Sequence, residues 1–151
     1  MLDPTDSRLL AALQKDALLT AQQLGDLLNL SPSQAGRRRQ RLEADGYITT
    51  YRAALAPEKV GLTVQAFIQI VMAAHTEQNA RDFVRLTRTQ AEIVGAWTLT
   101  GEADYLLRVY CADLAALNRI VQQVLLPHPA VARVQSQIVM ECIKPDAPLP
   151  V

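Results

Sequence analysis

The stretch that decides the N-terminal fold is LSPSQAGRRRQRLEADG, at residues 30–46. Ser31 is a residue type that caps helix N-termini, and Pro32 suits the first helical position because its missing N–H would have no partner there. Gly46 is typical of the residue that follows a helix. The stretch therefore predicts a helix of about four turns. Four arginines lie on it: Arg37, Arg38, Arg39 and Arg41.

One face of this helix carries side chains suited to DNA. At about 100° per residue, Arg37 and Arg41 share that face. Ser33 and Gln34 lie on it near the helix start, and Arg38 lies beside it. Arginine matches guanine O6 and N7 or a phosphate, and glutamine matches adenine. We take these five residues as candidate DNA contacts, with Ser33 near a phosphate; the alternative is a solvated surface helix.

The preceding residues favour the DNA-binding interpretation. A helix is predicted from Pro4 to about residue 15, with leucines on one face. A second begins after Thr20, which forms a capping box with Gln23, and ends near residue 28. Its tight turn into the cationic helix matches helix-turn-helix geometry, with the first helix bracing the pair. Residues 47–55 are rich in β-branched and aromatic side chains and predict a strand, either the wing of a winged helix-turn-helix or a connection to the next domain.

The C-terminal part predicts an α+β fold of the ferredoxin-like βαββαβ type. Strands are expected at residues 62–74, 93–99, 105–111 and 131–143, and helices at 78–89 and 113–126. Both helices would cover one face of an antiparallel sheet. A bare opposite face carrying Phe67, Ile70 or Trp97 predicts a partner, and hence a dimer through sheet faces.

The domain boundaries follow from these patterns. We expect a winged helix-turn-helix DNA-binding domain at residues 1–50 and a strand linker at 51–60. A βαββαβ domain is expected at 61–144, and a flexible, proline-rich tail at 145–151.

Composition excludes several classes of protein. The chain has 151 residues, 15 basic and 15 acidic, so its formal net charge is zero and a role with nucleic acid must rest on local clustering. No apolar run is long enough for a membrane span and the N-terminus is unlike a signal peptide, so we expect a cytoplasmic protein without membrane contact. Cys111 and Cys142 lie far apart and are interpreted as small core residues, not a disulfide or zinc site.

No catalytic or metal-binding arrangement is apparent. His75 and His128 have no Cys, Asp or Glu at ligand spacing, so no metal and no cofactor are expected. Glu102 and Asp104 could form an acid/base pair, but no nucleophile or oxyanion donor is indicated beside them. The sequence therefore does not predict an enzyme.

Four short motifs occur in order in the N-terminal part: Leu-Asp-x-x-Asp at residues 2–6, Leu-Gln-Lys-Asp at 13–16, Leu-Ser-Pro-Ser at 30–33 and Arg-Leu-Glu-x-x-Gly-Tyr-Ile at 41–48. In sequence and spacing they resemble the Lrp/AsnC family, the feast/famine transcriptional regulators. The resemblance implies a winged helix-turn-helix that binds double-stranded DNA. Members usually have an aliphatic residue where Arg39 stands, so we expect its methylene stem to lie along the core edge with the guanidinium directed to solvent or phosphate.

The C-terminal part contains Leu-Thr-Gly-Glu-x-Asp-Tyr-Leu-Leu at residues 99–107 and Val-Met-Glu at 139–141. These motifs resemble the effector domain known as RAM, and the resemblance implies that residues 61–144 form an effector-binding and oligomerisation domain. The resemblance implies homodimers that often assemble into octamers, and an amino acid bound near the Gly-x-x-Asp-Tyr loop at a dimer–dimer interface. Gln137 stands where leucine-sensing members usually have an aromatic residue, which points to a more polar ligand or to none.

The chemistry of that loop suits an α-amino acid, which needs N–H donors for its carboxylate and an acceptor for its ammonium group. The backbone at Gly101 can approach a ligand closely, and carboxylates and hydroxyls lie around it. The candidate effector contacts are Thr98, Thr100, Gly101, Glu102, Asp104 and Tyr105. The alternative is a simple hairpin turn in which Asp104 bonds its own backbone.

We therefore expect a sequence-specific DNA-binding transcriptional regulator that responds to an amino acid or a related small molecule. The alternative from another class is a ligand-binding or scaffolding oligomer whose helix-turn-helix contacts protein instead of DNA.

Overall fold

The computed structural model describes residues 2–151, which form two compact units. One contains the described residues through Ala54 together with Ile143–Val151, and the other is Leu55–Cys142. The tail, expected to be flexible, is grouped with the N-terminal unit. There the Gln14 amide donates to the Leu149 carbonyl at 3.0 Å and accepts from its N–H at 2.6 Å.

The N-terminal unit is built from three helices, α1 (Pro4–Lys15), α2 (Ala21–Leu28) and α3 (Pro32–Ala44). Each begins at a polar cap whose side chain accepts a backbone N–H: Asp3, Thr20 and Ser31. The helices enclose a small apolar core: Leu9, Leu10, Leu13, Leu24, Leu28, Ala35 and Leu42. The predicted helix-turn-helix is therefore present.

The strand expected at residues 47–55 is not formed. The backbone N–H groups of Tyr47 and Ile48 both donate to the Leu42 carbonyl, at 2.9 and 3.2 Å, and so close the end of α3. A β-prone segment becomes a strand only beside a partner strand, and among residues 2–151 this segment has none. The linker instead contains a short 3₁₀ turn, Pro57–Val60.

The C-terminal unit has the predicted βαββαβ order. Its elements are β1 (Val64–Met72), α4 (Glu77–Thr89), β2 (Ile93–Thr98), β3 (Tyr105–Cys111), α5 (Leu114–Arg119) and β4 (Val131–Ile138). A π-helical segment, Ile120–Leu125, extends α5. All strand pairs are antiparallel, in the order β2-β3-β1-β4. This is the ferredoxin-like topology.

The two faces of the sheet differ. Ile68 and Ile70 on β1 are fully buried in one core with Phe83 of α4 and Leu117 of α5. Phe67, which directly precedes Ile68 in the strand, points to the opposite face and is only partly buried. Trp97 of β2 is 47% exposed. Of the three alternatives considered for the bare face, Ile70 lies on the buried face instead.

β4 ends at Ile138, earlier than predicted, and this changes the interpretation of one cysteine. Cys111 lies in the core, where burial raises the pKa of its thiol. Cys142 follows the end of β4 and is exposed, so the prediction that both are core residues was wrong for Cys142. Within residues 2–151, no helix is long and apolar enough to cross a membrane.

Candidate nucleic-acid interface and effector site

The turn between α2 and α3 is set by short polar contacts. Ser31 Oγ accepts the Gln34 N–H at 3.3 Å, and Gln34 Oε1 accepts the Ser31 N–H at 3.0 Å, which completes a capping box. Asn29 adopts the left-handed conformation, with φ of 56°. The Leu30 N–H donates to the Gly25 carbonyl at 2.9 Å. Backbones approach so closely there that a Cβ on Gly25 would lie 2.7 Å from the Leu30 carbonyl oxygen.

Two of the candidate DNA-binding arginines are held by carboxylates of α1 and its cap. Arg38 Nη1 lies 2.7 Å from Asp6 Oδ1 and 2.7 Å from Asp3 Oδ2. Arg41 Nη2 pairs with Asp6 Oδ2. Asp6 is only 2% exposed. The hydrogen bond from Arg38 is the main reason that the pKa of Asp3 lies below its usual value.

The sequence prediction missed both of these carboxylates as partners of the helix. The sequence signal for these partners is the Leu-Asp-x-x-Asp motif, which places two carboxylates three residues apart at the start of α1.

Arg39 is not directed to solvent or phosphate, contrary to the expectation from the sequence. Its Nε lies 3.0 Å from Glu43 Oε1, and its Nη1 donates to the Leu19 carbonyl at 3.1 Å. Its guanidinium carbon lies 4.9 Å from the centre of the Tyr51 ring. The Tyr51 hydroxyl also donates to Glu43 at 2.7 Å, and this bond, followed by Arg39, lowers the pKa of Glu43. Arg39 thus connects α3 to the segments on either side of it.

The exposed face of α3 carries both uncharged polar side chains and arginines. Ser33, Gln34, Arg37 and Arg41 are exposed, and Arg38 is partly buried. Gln40 is exposed as well and lies one turn beyond Arg37, a candidate contact that the sequence prediction did not name. Among residues 2–151, Arg37 has no salt-bridge partner, in contrast to the other three arginines of α3.

The predicted effector loop connects β2 to β3, and Asp104 fixes it to β1. Its backbone N–H donates to the Ile70 carbonyl at 2.8 Å, and its Oδ2 accepts the Met72 N–H at 2.7 Å. The side chain therefore bonds a neighbouring strand and not the turn itself. Asp104 Oδ1 lies 3.7 Å from His75 Nδ1. Gly101 has φ of 110°, a conformation that glycine adopts without strain.

Two clefts adjoin this loop, and Tyr105 lines both. One, of about 210 Å³, lies beside the start of α4 and includes His75, Thr76 and Glu77. The other, of about 360 Å³, lies between α4 and β2 and includes Thr98. The other four predicted effector residues, Thr100, Gly101, Glu102 and Asp104, line neither of these clefts. In residues 2–151, no group of three potential metal ligands comes together.

These features define a helix-turn-helix protein with a separate ferredoxin-like domain. Residues 2–49 match the winged helix-turn-helix DNA-binding domain, and residues 65–149 match the Lrp/AsnC ligand binding domain. The chain belongs to the Lrp/AsnC family of transcriptional regulators.

Relatives align along almost the whole chain. The DNA-binding transcriptional activator DecR of Escherichia coli K12 is 36% identical over 100% of this chain and 99% of its own. The crystal structure of a Neisseria meningitidis transcriptional regulator in complex with L-Met is 37% identical, covers 99% of this chain and 97% of its own, and has a TM-score of 0.95. An AsnC family regulator from Agrobacterium tumefaciens is 32% identical with a TM-score of 0.92, over 99% and 97% of the two chains. The predicted family and fold class are confirmed.

Proposed function

We propose that this protein is a sequence-specific regulator that binds double-stranded DNA as a homodimer, in the cytoplasm, and responds to an amino acid. The observation that carries the proposal is the exposed face of α3. Ser33, Gln34 and Gln40 offer hydrogen-bonding groups there, and Arg37 offers a guanidinium that has no salt bridge among residues 2–151. A helix of this kind fits the major groove, where glutamine and arginine distinguish adenine and guanine. Arg38 and Arg41 flank the groove.

A binding-site selection from random duplexes, using the full chain, tests the DNA-binding function. Arg37→Ala should weaken binding to the selected duplex at fixed salt by about fivefold to a hundredfold, the range for an arginine contact to a guanine. Arg81→Ala is a matched control, because Arg81 lies on α4 and pairs with Glu77 at 2.6 Å. Equal affinity of Arg37→Ala and the wild-type chain would contradict the assignment. Affinity that does not fall with rising salt would favour the scaffolding alternative.

Homodimerisation is proposed through the open face of the sheet. Phe67 lies opposite Gln137 on that face, and Trp97 lies opposite Leu106. Exposed aromatic and aliphatic groups of this kind are typical of protein interfaces. Analytical ultracentrifugation should show a dimer for the wild-type chain and a shift to monomer for Phe67→Glu. An unchanged sedimentation coefficient for the folded variant would place the interface elsewhere.

The amino-acid response is proposed for the loop around Gly101. Asp104 Oδ1, which lies 3.7 Å from His75 Nδ1, can accept a hydrogen bond from an ammonium group, because Oδ2 is the oxygen that holds Met72. The Neisseria relative solved with L-Met supports this chemistry. A thermal-shift screen of the twenty amino acids should identify at least one that raises the melting temperature. If none does, the loop is a structural turn, and the DNA-binding function is unaffected.

A further inference from the structure

We infer that Asp6 is a positioning residue for DNA recognition: it holds Arg38 and Arg41 and, together with Asp3, cancels their charge, so that specific contacts outweigh non-specific attraction to DNA. The inference rests on the proposed DNA-binding function. Asp6 is a buried residue of α1 and does not lie on the face of α3 that is proposed to meet DNA.

The geometry makes Asp6 the centre of a small ion cluster. Its two carboxylate oxygens bind different arginines, Oδ1 to Arg38 and Oδ2 to Arg41. Asp3 Oδ2 binds the same Nη1 of Arg38, and Asp3 Oδ1 accepts the Asp6 backbone N–H at 2.8 Å. The two carboxylates and two guanidiniums carry equal and opposite charge. The cluster is therefore neutral as a whole.

Burial makes these pairs difficult to exchange for phosphate contacts. Asp6 is 2% exposed, whereas the side chains of Arg38 and Arg41 are 30% and 51% exposed. If either arginine turned to a phosphate, one guanidinium would remain for the two carboxylates while Asp6 stayed buried, and incomplete compensation of a buried charge is unfavourable. The two guanidiniums are therefore held against α1 when the helix meets DNA.

This pairing leaves α3 with little free positive charge. Arg39 is bound by Glu43, so Arg37 is the one arginine of α3 without a salt bridge among residues 2–151. Non-specific affinity grows with the number of phosphates that a protein neutralises, while sequence discrimination comes from contacts to base edges. By neutralising two of the four arginines together with Asp3, Asp6 lowers non-specific affinity and leaves the contacts to base edges in place.

Asp6→Asn in the full chain tests this, because asparagine keeps the shape and removes the charge. Affinity for an unrelated duplex should rise at least about fivefold at low salt. The slope of log K against log salt should steepen by about 0.9 per released arginine per bound subunit. The ratio of specific to non-specific affinity should fall. Asp6→Glu, which keeps the charge, should restore the wild-type slope; an unchanged slope and ratio in folded Asp6→Asn would overturn the inference.

A second comparison decides the question even if Asp6→Asn fails to fold. Arg37→Gln and Arg41→Gln alter exposed residues one turn apart on the same face, and Arg41→Gln leaves the Asp6–Arg38 pair in place. Arg37→Gln should reduce the salt slope by about 0.9 per bound subunit, and Arg41→Gln by much less. Equal reductions would show that Asp6 does not neutralise Arg41, and the inference would fail.

Discussion

Alanine should have opposite effects at the two glycines of the helix-turn-helix. Gly25 lies in α2 and Gly36 in α3, both inside helices, where glycine is less favourable than alanine by about 0.5–1 kcal/mol. Local propensity alone would therefore make both substitutions stabilising. The space around the two positions predicts a different result.

At Gly25, an added Cβ would lie 2.7 Å from the Leu30 carbonyl oxygen, which is backbone and can move only if the turn moves. Overpacking of this kind costs about 1–3 kcal/mol, which exceeds the gain in propensity, so we expect a net loss of about 1–2 kcal/mol. At Gly36, the nearest atom would be Ala21 Cβ at 3.8 Å, an ordinary contact. The gain in propensity should then appear in full, as about 0.5–1 kcal/mol of added stability.

Urea unfolding of the full chain, followed by far-UV circular dichroism, measures both effects on the helical N-terminal unit. The fluorescence of Trp97, the single tryptophan of the chain, reports separately on the C-terminal unit and should not change. Gly25→Ala should also weaken DNA binding, since the turn sets the position of α3. Two stabilised variants, or two equally destabilised ones, would refute the reasoning from close approach.

Two further predictions concern single hydrogen bonds. Asp104→Ala should lower the free energy of unfolding of the C-terminal unit by about 2 kcal/mol, because the Met72 N–H loses a charged acceptor. Glu102→Ala is an exposed control in the same turn and should change that free energy by no more than about 0.5 kcal/mol. Urea titration by tryptophan fluorescence compares them, and equal effects would contradict the role of Asp104. The depressed pKa of Glu43 means that its stabilising contribution is present above its ordinary pKa of 4.5 and is lost as pH falls through the lowered value. Tyr51→Phe removes the hydrogen bond that contributes most to this lowered pKa. Circular dichroism should therefore show a smaller loss of stability at acid pH than in the wild-type chain. An identical pH profile would contradict the role of the Tyr51–Glu43 bond.

The parts of the fold that the sequence predicted correctly are those set by neighbours in the chain. The caps Thr20 and Ser31 lie within three residues of the groups they bond, so the starts of α2 and α3 were predicted to the residue. The strand and helix periodicities of the C-terminal unit are equally local, and they gave the βαββαβ order. Core packing then selects this topology because both helices are apolar on one face only.

The features that the sequence did not predict depend on contacts between distant residues. Residues 47–55 have the composition of a strand, but strand formation depends on a partner edge, which composition does not show. The partners of Arg41 and Asp104 are Asp6 and Met72, 35 and 32 residues away. A helical wheel places Arg41 on the side proposed to face DNA without showing that a buried carboxylate already holds it. The sequence therefore indicated α3 as the candidate DNA-binding element, while the carboxylate partners that distinguish its arginines became visible only in the structure.

The pairing of three of the four arginines of α3 has a consequence for assembly. The chain has no net charge, and α3 has one arginine free of salt bridges among residues 2–151, so one helix-turn-helix contributes few phosphate contacts and would bind DNA weakly. Linking two such helices makes the second contact intramolecular and raises its effective concentration to the millimolar range. Dimerisation through the sheet would then supply the affinity that the charge of a single α3 does not. On this reasoning a folded monomeric variant such as Phe67→Glu should lose most of its affinity for the selected duplex, even though every residue of α3 is intact.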